Sequence, residues 1–266
     1  MRSLEAAQQR IEQIRRRAYT GSAIRMHRAI ASVHLRRRDL AAVLVLPPLF
    51  DILIVWTANP LVSAWSFLID WWRVRVGMPN PVIQWPADFG AFTLWLPNIL
   101  LEEALPTPVL WWSTLVICVA LWIGAGWIAP QRFLPLAYIT RALVLIQGSA
   151  LAFVGLFPAS FPFETAHYLA RSLAGVFALM LVVPWLLAAV YNIFDFAFWK
   201  KALLSALTLV YLAVFAPIQY LLQIVIIWKG TGLFLPVLYI CFGTVLEIVI
   251  LLGLYSWAMT WGRPPR

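Results

Sequence analysis

Residues able to do acid–base and anion-binding chemistry gather in "FPFETAHYLARSL", positions 161–173. Glu164, His167 and Arg171 are spaced i, i+3 and i+7, which puts all three on one face of a helix. A Glu–His pair of this kind can act as orienting carboxylate and general base, with the arginine clamping a phosphate or carboxylate. Ser160 and Thr165 offer hydroxyls nearby, but neither stands in a nucleophile motif, and spacing alone makes no triad. The plainer reading is the mouth of a membrane helix. Ser160 and Pro162 suit a helix start, and Glu164 falls in a first turn, where the dipole favours a carboxylate. Arg171 can then stretch back to water, and His167 sits at the interface.

A second set lies inside apolar runs. Counted from the cytoplasmic ends of their runs, Arg141, Glu247 and Asp51 lie roughly 12, 15 and 16 Å deep at helical rise. A charge facing lipid there costs about 2.5–3.5 kcal/mol even on lenient insertion scales. The expectation is an intramembrane ion pair between Arg141 and Glu247, with Asp51 nearby or protonated. Such a pair either fixes helix register or relays a proton or ion. Gln147, Gln219 and Gln223 are expected to bond across helices. Glu102 and Glu103 are adjacent, so on a helix they point about 100° apart and form no joint acid–base site. They mark one membrane edge, as "YNIFDF" with Asn192 and Asp195, followed by Lys200 and Lys201, marks the other.

The elements that must carry these residues are membrane spans. Of 266 residues 63% are hydrophobic and 12% charged, too little charge for a soluble domain of this size. A span needs about 20 apolar residues. Runs 109–128, 133–157, 169–191, 202–228 and 233–257 qualify; 40–56, with Pro47, Pro48 and Asp51, is shorter and becomes a span when extended to Ala58, its other reading being a re-entrant or interfacial helix. The fold class expected is all-α and polytopic, with about six transmembrane helices.

Charge placement sets the orientation. Ten arginines fall within the first 38 residues, and with both termini inside, Arg132, Lys200, Lys201, Arg263 and Arg266 join them, against Arg73, Arg75 and Lys229 outside. That bias predicts a membrane protein with both termini on the cytoplasmic side. It also assigns the net charge of +9 to anionic lipid of the inner leaflet rather than to nucleic acid. No cleavable leader is expected, because the long charged stretch precedes the first apolar run.

The resulting layout is a basic amphipathic arm at 1–39, a first span at 40–58, and an extracytoplasmic interfacial segment at 59–107. A five-helix region at 108–262 and a short tail at 263–266 complete it. Within the outer segment, "LVSAWSFLIDWWRVRVG" predicts an interfacial helix with tryptophans at headgroup depth. "PVIQW" and "AFTLWLP" predict two short strands around "PADFG". The whole segment is too apolar for a free domain and is expected to cap the outer end of the bundle or lie against another protein.

Other chemistry finds no foothold in the sequence. P-loop, dinucleotide, HExxH and GxSxG motifs are missing. Cys118 and Cys241 sit in apolar runs as buried small hydrophobes. His27, His34 and His167 offer no metal or haem spacing, so neither a cofactor nor a metal is expected.

At "FPASFPFETAHYLAR" and "YNIFDF", and in the Trp/Pro-rich outer segment, the chain resembles bacterial membrane proteins associated with exosortase systems, which cut and sort C-terminally tagged exported proteins. Exosortases use an outer-facing cysteine with arginine and histidine. Ser160 stands where that cysteine would be, and Cys118 and Cys241 lack the setting. The resemblance therefore implies an accessory protein rather than the transpeptidase, and no catalytic residue carries over. The functional expectation is a non-catalytic subunit or scaffold with a protein partner in the membrane. The alternatives are an outer-leaflet enzyme using Glu164, His167 and Arg171 on a lipid-linked or exported substrate, and a proton-coupled carrier using Asp51, Arg141 and Glu247.

Overall fold

Apolar runs in lipid satisfy their backbone groups internally, so they become helices. The computed structural model describes residues 37–101, 105–127, 134–158, 165–190 and 198–259, and these contain six helical segments long and apolar enough to cross a membrane. The chain is an all-α polytopic membrane protein. The basic arm up to residue 36, the tail at 263–266, Glu102, Glu103, Asn192 and Asp195 lie outside the described residues, as do Ser160 and Glu164.

The first helix departs from expectation. Instead of a span at 40–58 followed by a separate interfacial helix, α1 runs unbroken over Arg37–Val76, 40 residues. At helical rise that is about 60 Å, twice a hydrocarbon core. Ala42, Leu46, Phe50, Ile54, Ala58, Val62, Trp65 and Ile69 are all buried. Their intervals of four, with one of three, draw a single stripe along the helix. Pro60 removes one ladder donor, but the stripe continues on both sides of it and keeps the helix whole. Trp65 is part of this stripe. It is buried, and its Nε1 donates to the Ala213 carbonyl at 2.8 Å.

After α1 come two antiparallel strands, β1 (Val82–Asp88) and β2 (Thr93–Ile99), in register from Val82↔Ile99 to Asp88↔Thr93. The turn between them uses Gly90 at φ +79°, and Gly90 N–H donates to Asp88 Oδ1 at 2.9 Å. The first strand reaches further than "PVIQW", through Pro86, because a two-stranded sheet leaves outer edges where a proline costs no ladder bond.

Four further helices follow: α2 (Pro108–Trp127), α3 (Leu134–Leu156), α4 (Thr165–Val190) and α5 (Phe198–Gly230). The last apolar run is broken rather than continuous. A 3-10 turn at Gly232–Phe234 leads to α6 (Leu235–Cys241), and after Phe242–Gly243 the chain resumes as α7 (Thr244–Met259). Gly243 permits the break: a Cβ there would lie 2.5 Å from the Tyr239 carbonyl oxygen.

Two packing units result. α1, α4 and α5 pack on one another, and the hairpin joins them, contributing Ala87, Leu94, Leu96 and Ile99 to the same core. Phe89 and Phe92 at its tip rest on Phe177, at 5.0 and 6.3 Å between ring centroids. The hairpin thus lies along α4 instead of merely capping the bundle end. α2 packs on α3, where Trp111 Nε1 donates to the Leu151 carbonyl at 3.0 Å over the bare Gly155. α3 reaches the last span through Gln147, whose Nε2 donates to the Leu233 carbonyl at 3.0 Å. Cys118 is buried in this second unit.

Candidate functional site

Among the described residues, two gatherings of polar side chains link several elements of the bundle. The first is the junction of hairpin, α4 and α5. Asn98 and Tyr220 are both 0% exposed. Tyr220 Oη donates to Asn98 Oδ1 at 2.8 Å and accepts from Ile99 N–H at 2.9 Å, while Asn98 Nδ2 donates to the Ala166 carbonyl at 3.5 Å. Three elements are pinned by one buried network, and every partner is satisfied by another member.

His167 lies one position beyond Ala166 and is exposed. Its ring meets Trp85 of β1 edge-on, centroids 5.8 Å apart at 83°. Arg171 is also exposed, one helical turn along the same face. Thr165, by contrast, is buried. Their candidate partner Glu164 lies outside the described residues, so the three-residue constellation is placed only for His167 and Arg171. What these two can do together is present an aromatic-backed imidazole and a cation to a ligand at the hairpin flank.

The second place is the break in the last span. Gln219 and Gln223, one turn apart on α5, both donate through Nε2 to the Phe242 carbonyl, Gln223 at 2.7 Å. A break frees carbonyls from the helical ladder, and here side-chain amides take one of them up. Ser172 Oγ of α4 donates to Gln223 Oε1 at 2.9 Å. Gln219 also reaches Glu247 of α7, which is 2% exposed, and Tyr211 of α5 faces the same carboxylate.

The expected grouping of Arg141, Glu247 and Asp51 is not formed. Asp51 Oδ2 accepts from Trp185 Nε1 at 2.7 Å. Arg141 lies 5.6 Å over the Trp122 ring, and its guanidinium packs against Gly126 near the end of α2. Glu247 has Gln219 instead. The reason is the lean of helical side chains toward the helix N-terminus. Arg141 leans toward the start of α3, where the last turn of α2 offers a favourable dipole end. Glu247 leans toward the start of α7, at the break. The depth counted along each span therefore does not bring the charged ends together.

Sequence reasoning missed Asn98, Tyr220 and Lys201. The first two stand in apolar runs 122 positions apart, and no local pattern connects them. Lys201, read as a membrane-edge residue, is 1% exposed on the face it shares with buried Ser205 and Thr208. Polar residues at helical spacing (201, 205, 208) were the available signal. Among the described residues no three His, Cys, Asp or Glu side chains gather to hold a metal ion.

No family model, curated protein or solved structure matches this chain.

Proposed function

We propose that the protein is a non-catalytic subunit or scaffold of a bacterial inner-membrane complex, with both termini cytoplasmic and the hairpin on the outer side. The observation that carries this reading is the Asn98–Tyr220 network. It holds a small β-element rigidly on a helical bundle while leaving Trp95, Trp71 and Trp72 exposed beside it. A fixed, aromatic, extramembrane-edged surface suits docking of a protein partner. The arginine-rich arm adds contact with anionic inner-leaflet lipid. The resemblance to exosortase-associated proteins makes sorting of exported proteins the pathway to examine first. Purification in mild detergent should retain a stoichiometric partner, and Trp95→Ser should release it while the protein still accumulates. A chain that purifies alone under every mild condition ends this reading.

The exposure of His167 and Arg171 on one face favours a second reading, an outer-leaflet enzyme acting on a lipid-linked or exported substrate with Glu164 as the third residue. His167→Ala decides between them: unchanged function of the native system removes the enzyme.

A further inference from the structure

Glu247 and Gln219 leave an unmet need. Gln219 Oε1 and Glu247 Oε2 are both buried without a hydrogen-bond partner, on side chains that are 3% and 2% exposed and touch each other. Both atoms are acceptors, so neither can satisfy the other. Nothing basic compensates: no ion pair to Glu247 is formed among the described residues. The titratable group facing it from α5 is Tyr211, whose own hydroxyl is likewise buried without a partner. α6, the other element packed on α7, carries Tyr239, whose ring turns to Tyr168 of α4 at 6.1 Å, and Cys241. An ionised carboxylate left this way is among the costliest arrangements a protein can hold.

We propose that the break in the last span is a binding site for a small monovalent cation, a proton or sodium, held between Glu247 Oε2 and Gln219 Oε1. A proton on Glu247 Oε2 turns that atom into a donor toward Gln219 Oε1 and settles both orphans at once. Sodium does the same by accepting both oxygens as hard ligands. Gln223 and the second half of the Gln219 amide hold the Phe242 carbonyl and so keep the broken backbone in place around the site. The subunit reading above neither requires this site nor supplies it.

Infrared difference spectroscopy of the purified protein in lipid nanodiscs tests the proposal. In sodium-free choline buffer at neutral pH, the wild type should show a carboxylic-acid C=O band that Glu247→Gln abolishes. Adding sodium in place of choline separates the two cations. Conversion of that band to carboxylate, with retention of radioactive sodium, assigns the site to both, and persistence assigns it to the proton alone. If Glu247→Gln fails to accumulate, Gln219→Leu keeps the carboxyl and removes its acceptor, and the band should move to higher frequency. A wild type with no such band and no retained sodium, or a band indifferent to Gln219→Leu, overturns the proposal.

Discussion

Tyr220 donates its hydroxyl hydrogen to Asn98 at 2.8 Å, joining the middle of an apolar helix to the end of a strand. The same oxygen accepts from Ile99 N–H, so one atom ties both the side chain and the backbone of β2. Tyr220→Phe removes the donor and the acceptor together. It should cost roughly 1–3 kcal/mol, the usual penalty for stranding buried polar groups. Amide exchange at 82–99 should quicken while exchange in α4 and α5 changes little. Equal protection in variant and wild type would show that apolar packing alone docks the hairpin.

Arg141 and Glu247 should behave as independent residues. Arg141→Glu and Glu247→Arg are each expected to destabilise, and the double swap should cost about the sum of the two, since distant sites add within roughly 0.5 kcal/mol. Recovery of stability in the double variant, read by reversible unfolding in mixed detergent, would mean that the two side chains meet.

Asp51 and Trp185 are coupled through a bond of 2.7 Å. Trp185→Phe should cost roughly 0.5–1.5 kcal/mol, the usual net range for one hydrogen bond. Asp51→Asn should cost less, because an amide oxygen still accepts from the indole. A double-mutant cycle measures the coupling, and zero interaction energy would contradict the bond.

The turn after α5 is tight at two successive residues. A Cβ on Gly230 would lie 2.4 Å from the Phe234 ring, and Thr231 holds φ 59°, unfavourable for a β-branched residue. Gly230→Ala should destabilise by about 1–3 kcal/mol, as overpacking does, and Phe234→Ala should relieve part of that. Thr231→Gly should stabilise by roughly 1 kcal/mol through release of backbone strain. Thermal unfolding in nanodiscs reads all three, and a Gly230→Ala midpoint equal to wild type would argue against the close approach.

Much of the architecture was legible because lipid imposes a local rule. Each apolar run must close its own backbone bonds, so span number follows from run length, and the strands around Gly90 follow from turn chemistry. Gln147, Gln219 and Gln223 do bond across helices, because an amide in a bundle interior has few other partners. Two boundaries escaped. α1 crosses position 58 because its buried stripe continues to Ile69, and whether a stripe is buried depends on what faces it. The last span breaks at Gly243, although hydropathy there stays high, because helix termination depends on backbone contacts rather than on side-chain apolarity.

By itself, then, the chain's order of residues determined a six-span helical membrane protein with a strand pair, since both follow from interactions within a few turns. Tertiary structure alone decided which polar groups meet: Asp51 with Trp185, Arg141 with Trp122, Glu247 with Gln219, Asn98 with Tyr220. Depth along a span is a one-dimensional quantity that can be counted. Partnership also needs the rotation of each helix and the lean of its side chains, and those are set only when the helices pack.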